Sequence, residues 1–266
     1  MKYALVNGKK REAKRGLQGI CPSCSSNLIP RCGPLKVDHW SHKGKRNCDY
    51  WWENETAWHR SWKGNYPEEF QEVVHFDKHS GEKHIADVKT TDGLVIEFQH
   101  SFIKPEESKS RELFYKKMIW VVDGTRLDRD FKRFVKGVAC AQRTNKNGVY
   151  ILHFPEECFP KSWLNNSVPV IFDFLGTMNK NDFIESEDAL RTELYILLPK
   201  ANNDSRILVQ LDRNSFIKGT LEGTLFPERE KQPPKKVQPS LQPKVRRVQT
   251  HYYDPKKGKM VRRRRL

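Results

Sequence analysis

Long apolar stretches are missing from this sequence: across 266 residues no hydrophobic run exceeds about six, far short of the roughly 20 that cross a bilayer. The first twenty residues are charged throughout and lack the apolar block of a secretory signal. Cysteine is sparse as well, six in the whole chain, too few for a disulfide scaffold at this size. No internal repeat is visible. These absences exclude membrane-spanning, fibrous and disulfide-stapled classes and lead to the expectation of a soluble cytoplasmic protein. What is present is a hydrophobic share of 36%, enough for a compact core, and a formal net charge of +16.

The charge is unevenly spread. Residues 225–266 carry fourteen Lys or Arg against three acids, a net of +11 that leaves only +5 for the rest. The same stretch holds six of the fifteen prolines and ends in four consecutive arginines before Leu266. It has too little apolar surface to offset its ordering entropy, so a disordered basic tail is expected. Such a tail is either an electrostatic arm that adds phosphate contacts or a solubilising segment.

Upstream, residues 1–50 read as short strands around turns and contain four cysteines with His39 and His42. Residues 51–63 read as an aromatic, charged helix, and 70–76, 84–90 and 94–100 as strands. Pro105-Glu-Glu opens a helix, with Pro at the first position and acids in the first turn. A buried strand at 118–122, a helix near 128–135 and a strand at 149–154 follow. The expected organisation is a zinc-binding module over 1–50, a catalytic α/β domain over 51–155, an α/β extension over 156–224 and the tail over 225–266.

Cys21-Pro-Ser-Cys24 has the spacing of a zinc knuckle, in which a tight turn directs two thiolates at one ion. A second ligand pair is available among His39, His42 and Cys48, more donors than tetrahedral zinc needs. The expected ligand set is Cys21, Cys24, His39 and Cys48, with His42 as the alternative. Cys32 reads as a bystander, Cys140 and Cys158 as core thiols.

Three further segments carry acids. In the expected helix 51–63, Glu55 falls on the face of Trp51, Trp58 and Trp62, with His59 one turn on, while Glu53 points to the solvated side. A carboxylate on a buried stripe is costly unless it is paired or binds a metal. The other two segments form one hairpin, KHIADVKT-TDG-LVIEFQH. A two-residue Asp92-Gly93 loop would set Asp87 opposite Phe98; a three-residue loop, Thr91-Asp92-Gly93 with Gly left-handed, sets Asp87 opposite Glu97. The second register alone leaves Ala86, Val88, Leu94, Ile96 and Phe98 on one apolar face. Opposed carboxylates repel unless a cation lies between them, and hard oxygen ligands favour Mg²⁺ or Mn²⁺. Gln99 shares the face of Glu97, where it can orient a water. Arg111 and Tyr115, four apart on the next helix, face one direction and suit contact with a phosphate.

Glu55-Thr-Ala-Trp-His59, Ile85-Ala-Asp87, Val95-Ile-Glu97-Phe-Gln99, Arg111-x3-Tyr115 and Ile119-Trp-Val-Val-Asp123 together resemble the CoiA-like competence protein family, whose nuclease domain is similar to the PD-(D/E)XK restriction-endonuclease-like superfamily. The resemblance runs from Cys21 to about Gly124. It implies a central mixed sheet flanked by helices and a Mg²⁺- or Mn²⁺-dependent deoxyribonuclease. Asp87 and Glu97 are then the metal ligands, Glu55 the helix acid completing the cluster, and His59 a group that orients Glu55. Gln99 stands where the superfamily usually has Lys. DNA is the implied partner, with recombination or DNA-uptake proteins beside it. The alternative is a weakly active or inactive protein that holds DNA for recombination partners.

Overall fold

Alternating apolar residues make strands wherever the sequence keeps a period of two, and the strands sort into two sheets and a separate hairpin. The computed structural model describes residues 1–44, 51, 53, 55–77, 81–183, 187–200, 205–226 and 251–262. The N-terminal sheet comprises β1 (Tyr3–Val6), β2 (Lys9–Glu12), β3 (Gly19–Ile20), β4 (Asn27–Gly33) and β5 (Lys36–His42), in the order β2-β1-β3-β4-β5 with antiparallel neighbours. Its small core gathers Met1, Ala4, Ala13, Leu28 and Trp40 around Cys21.

The second sheet follows the helix α1 (Ala57–Lys63). Its elements are β6 (Gln71–Phe76), β7 (Lys83–Lys89), β8 (Val95–Gln99), the helix α2 (Pro105–Tyr115), β9 (Met118–Asp123), the helix α3 (Asp128–Ala139), β10 (Gln142–Arg143), β11 (Val149–Leu152), β12 (Val170–Asp173), β13 (Glu193–Leu197), β14 (Arg206–Asp212) and the helix α4 (Arg213–Leu221). The nine strands lie in the order β10-β11-β14-β13-β12-β9-β8-β7-β6. Parallel pairing joins β8, β9 and β12; antiparallel pairs flank them on both sides. The result is a mixed α/β architecture with one large mixed sheet.

Alternation along the central strands fills two layers. Trp120, Val122, Phe172 and Tyr195 pack with Phe114 of α2 and Phe134 of α3, whereas Ile119, Val121, Ile171 and Ile196 pack with Trp58 and Trp62 of α1 and Phe216 of α4. β12 to β14 thus complete the sheet that holds β7 and β8, so the extension expected over 156–224 is not set apart from 51–155. Buried Asp173 ties the two stretches together: its carboxylate accepts from both Trp58 Nε1 and Trp62 Nε1 at 2.9 Å and pairs with Arg213 at 2.6 Å.

The disordered tail needs correcting at both described ends. Leu225 and Phe226 pack against the second core, because they follow α4 directly onto its apolar face. Residues 251–262 form a hairpin, β15 (His251–Asp254) with β16 (Lys259–Arg262), which belongs to a separate unit, 228–266. Among the described residues no helix is long and apolar enough to cross a membrane.

Candidate active site and metal knuckle

The three-residue hairpin loop forms as its glycine requires. Gly93 has φ +80°, its N–H donates to Thr90 O, and the ladder pairs Val88 with Ile96 and Lys89 with Val95. Continued by one step, that register sets Asp87 opposite Glu97. There the ladder gives way to side chains: the Phe98 N–H donates to Asp87 Oδ2 at 3.1 Å and the Asp87 N–H to Glu97 Oε1 at 3.3 Å. Beyond that point Ala86 packs into the α2–α3 layer rather than with Val88, Leu94, Ile96 and Phe98, as the single-face expectation had it.

The helix expected over 51–63 begins only at Ala57. Thr56 caps it: its hydroxyl accepts from the His59 N–H, and His59 Nδ1 accepts from the Thr56 N–H, so the backbone turns extended at Thr56. Glu53 and Glu55 therefore approach the sheet from outside the helix. Glu53, expected on the solvated side, accepts from Gln99 Nε2 at 2.8 Å and from the Ser101 N–H at 2.5 Å. His59 is oriented at both nitrogens, its Nε2–H donating to Phe98 O at 3.0 Å.

Five carboxylates, those of Glu53, Glu55, Glu72, Asp87 and Glu97, line one cavity of about 70 Å³ together with Lys63 and Arg111. Lys63 is 3% exposed and its ammonium lies 2.7 Å from Glu55, 3.0 Å from Glu72 and 3.6 Å from Asp87. Burial alone lowers the pKa of such a lysine; the three carboxylates outweigh it and raise the value above the ordinary one. Arg111 pairs with Glu97 at 2.9 Å and with Glu107 at 2.5 Å, and donates to Trp51 O. The phosphate-contacting role read for Arg111 and Tyr115 needs correcting. Both are buried, the guanidinium engaged by acids and Tyr115 packed beside Trp51, His75 and Phe114, because this face of α2 is the one that covers β8 and β9.

Sequence reasoning passed over Lys63 and Glu72. Lys63 had a signal: it follows His59 by four residues, on nearly the same helical face. Glu72 had none. It lies in β6 with φ +46° and its carboxylate accepts from the Lys2 N–H at 2.6 Å and the Tyr3 N–H at 2.9 Å, joining the N-terminal sheet to the acidic cavity. Burial raises its pKa, but Lys63 and these N–H groups bring it down to about 2, below the ordinary 4.5. A depressed carboxyl stabilises fully above the unfolded value and loses that contribution as pH falls through the folded one. Acid titration of stability should thus show a decline between about pH 4.5 and 2 that is shallower in Glu72→Gln.

At the knuckle, Cys21, Cys24 and His42 place their ligand atoms within 4.8 Å of one another. The tight turn is closed by the Ser25 N–H to Cys21 O, and β4 beside β5 pairs Leu28 with His42, which brings the imidazole across. Cys24 Sγ lies 3.4 Å from His42 Nε2. Burial works to raise the Cys24 thiol, yet hydrogen bonds from Ser26 and His42 hold it down to about 6, while burial pushes Cys21 up. His42 replaces the expected His39, which lies three residues back on the opposite side of β5 and bonds Val37 O at 2.9 Å. Cys48 lies outside the described residues. Cys158 is buried as expected; Cys140 is exposed, because it follows the end of α3 rather than its apolar face.

The family model described as competence protein CoiA, N-terminal domain, matches residues 6–51, a span that contains the knuckle and none of the cavity's acids. It supports the CoiA-like family read from other residues of the chain. No curated protein and no solved structure matches the chain.

Proposed function

We propose that the chain is a Mg²⁺- or Mn²⁺-dependent deoxyribonuclease of the DNA-processing type, built on a restriction-endonuclease-like sheet with a structural zinc knuckle. The observation that carries this reading is the cavity: five carboxylates converge on it, Glu72 and Glu97 buried and Glu53, Glu55 and Asp87 partly so. Lys63 and Arg111 lie among them, and Arg60 pairs with Glu55 at 3.0 Å. All five groups are hard oxygen donors, the chemistry that suits a divalent ion of the Mg²⁺ or Mn²⁺ class. The donor set fits a divalent metal held by Asp87, Glu97 and Glu55. Such an ion supplies Lewis acidity and a bound water of lowered pKa.

The chain's own residues do the rest. His59 and Thr56 fix the end of α1 and so the approach of Glu55. Arg111 holds one oxygen of Glu97, leaving the carboxylate in one orientation. Lys63 holds Glu55, Glu72 and Asp87 together. Gln99 and Ser101 anchor Glu53 beside the cavity. The basic tail adds phosphate contacts along DNA, independent of sequence.

A second reading, DNA held for recombination partners without cleavage, is favoured by Gln99, tied to Glu53 in the place of a lysine, and by the cations already on the acids. One experiment divides the two: linear, circular, single- and double-stranded DNA incubated with Mg²⁺ or Mn²⁺ and with no added metal. Cleavage that requires the metal supports the nuclease; binding without cleavage in every arm supports the holding protein. For Gln99→Lys the expectation is cleavage kept or increased, since the ammonium would meet the Glu53 carboxylate that now receives the amide.

The knuckle carries its own prediction. Purified protein should hold about one zinc per chain; Cys21→Ser and His42→Ala should lose it, and His39→Ala should keep it, by metal analysis. Zinc retained by His42→Ala and lost from His39→Ala would reverse the ligand assignment.

A further inference from the structure

Beside the acidic cavity lies a second one of about 290 Å³, near the small end of ligand-sized pockets. It sits outside the carboxyl ends of the three parallel strands, where His100 follows β8, Asp123 ends β9 and Phe174 follows β12; that end of an open α/β sheet is where ligands bind. Its inner wall is apolar and aromatic, with Ile103, Trp163, Phe172 and Phe174. Its mouth is cationic. Arg126 and Arg129 are exposed and pair with no carboxylate among the described residues, and Phe102 stands there 65% exposed. The wall between the two cavities is thin: the His59 and His100 rings are 6.2 Å apart, and Glu53, which lines the first cavity, bonds the Ser101 N–H of the second. His100 is itself held by Asp123 at 2.8 Å.

We propose that this second cavity takes one unstacked nucleotide of a single DNA strand, adjacent to the phosphate presented to the acidic cavity. An apolar slot with an aromatic rim accepts the flat face of any base, and unpaired guanidinium groups at the mouth accept its phosphate. A base paired within a duplex cannot enter without being unstacked, so the site selects single-stranded or locally opened DNA. The proposal rests on the reading of the chain as DNA-acting, but not on hydrolysis.

The test is fluorescence anisotropy at about 150 mM salt without added Mg²⁺ or Mn²⁺, so that no cleavage intervenes. Full-length protein is titrated into a labelled twelve-residue oligothymidylate and into a duplex of the same length, with thymidine monophosphate as competitor. The expected result is at least about tenfold tighter binding of the single strand, with the mononucleotide a weak competitor. Arg126→Ala with Arg129→Ala, both exposed, should remove most of that preference while changing duplex affinity little. Ile103→Trp, which fills the slot, should do the same. Equal affinity for single strand and duplex, a preference that survives the double arginine variant, or competition by the mononucleotide as strong as by the oligonucleotide would each overturn the proposal. Absence of cleavage when Mg²⁺ or Mn²⁺ is supplied in a separate assay, with the preference intact, would overturn the nuclease alone.

Discussion

Replacing Lys63 with methionine is expected to destabilise the protein by about 3–5 kcal/mol, the usual cost of removing one partner from a buried ionic group. The size follows from where the ammonium lies. It is 3% exposed and within 3.6 Å of Glu55, Glu72 and Asp87, so its loss leaves three carboxylates facing one small cavity. Urea denaturation near neutral pH measures the change. Two companions make the cause visible. Glu72→Gln should cost less in the methionine background than in the wild type, since one of the repelling charges is gone. Added Mg²⁺ should restore more stability to Lys63→Met than it adds to wild type, because the ion replaces the missing cation. A loss below about 1 kcal/mol would mean that the ammonium does not hold the acids together.

Most of the scaffold was legible from the sequence. Strands at 118–122 and 149–154 and the helix opened by Pro105 follow from period, Pro placement and β-branched content, and the structure has them within a few residues. The hairpin register was legible for a sharper reason: sorting Val88, Leu94, Ile96 and Phe98 onto one buried face leaves a single loop length. What the sequence hid is long-range. Nothing local to Glu72 announces that the N–H groups of Lys2 and Tyr3 will reach its carboxylate from about seventy residues away. The start of α1 was misplaced because aromatic periodicity continues upstream of Thr56, whereas the Thr56–His59 capping box stops the helix there. That one shift turned Glu53 from a solvent-facing acid into a partner of Gln99. Likewise Arg111 reads as an exposed basic residue until β8 supplies Glu97 across the α2 interface.

The other large effect concerns chemistry. Asp87→Asn is expected to lower DNA cleavage by a factor of about 10³ or more, since a neutral amide neither binds a hard divalent ion well nor keeps its place opposite Lys63. Glu97→Gln should do the same and also release Arg111 from its 2.9 Å pair. Stability separates chemistry from folding here. Asp87 is the most exposed of the three acids around Lys63, so its amide variant should remain folded, by thermal melting within a few degrees of wild type.

The central claim is most directly tested by nicking of a closed circular plasmid with Mn²⁺ or Mg²⁺, wild type beside folded Asp87→Asn and Glu97→Gln. The account predicts metal-dependent nicking by wild type, none without added metal, and none above background by either variant. Nicking by folded Asp87→Asn at the wild-type rate would contradict it.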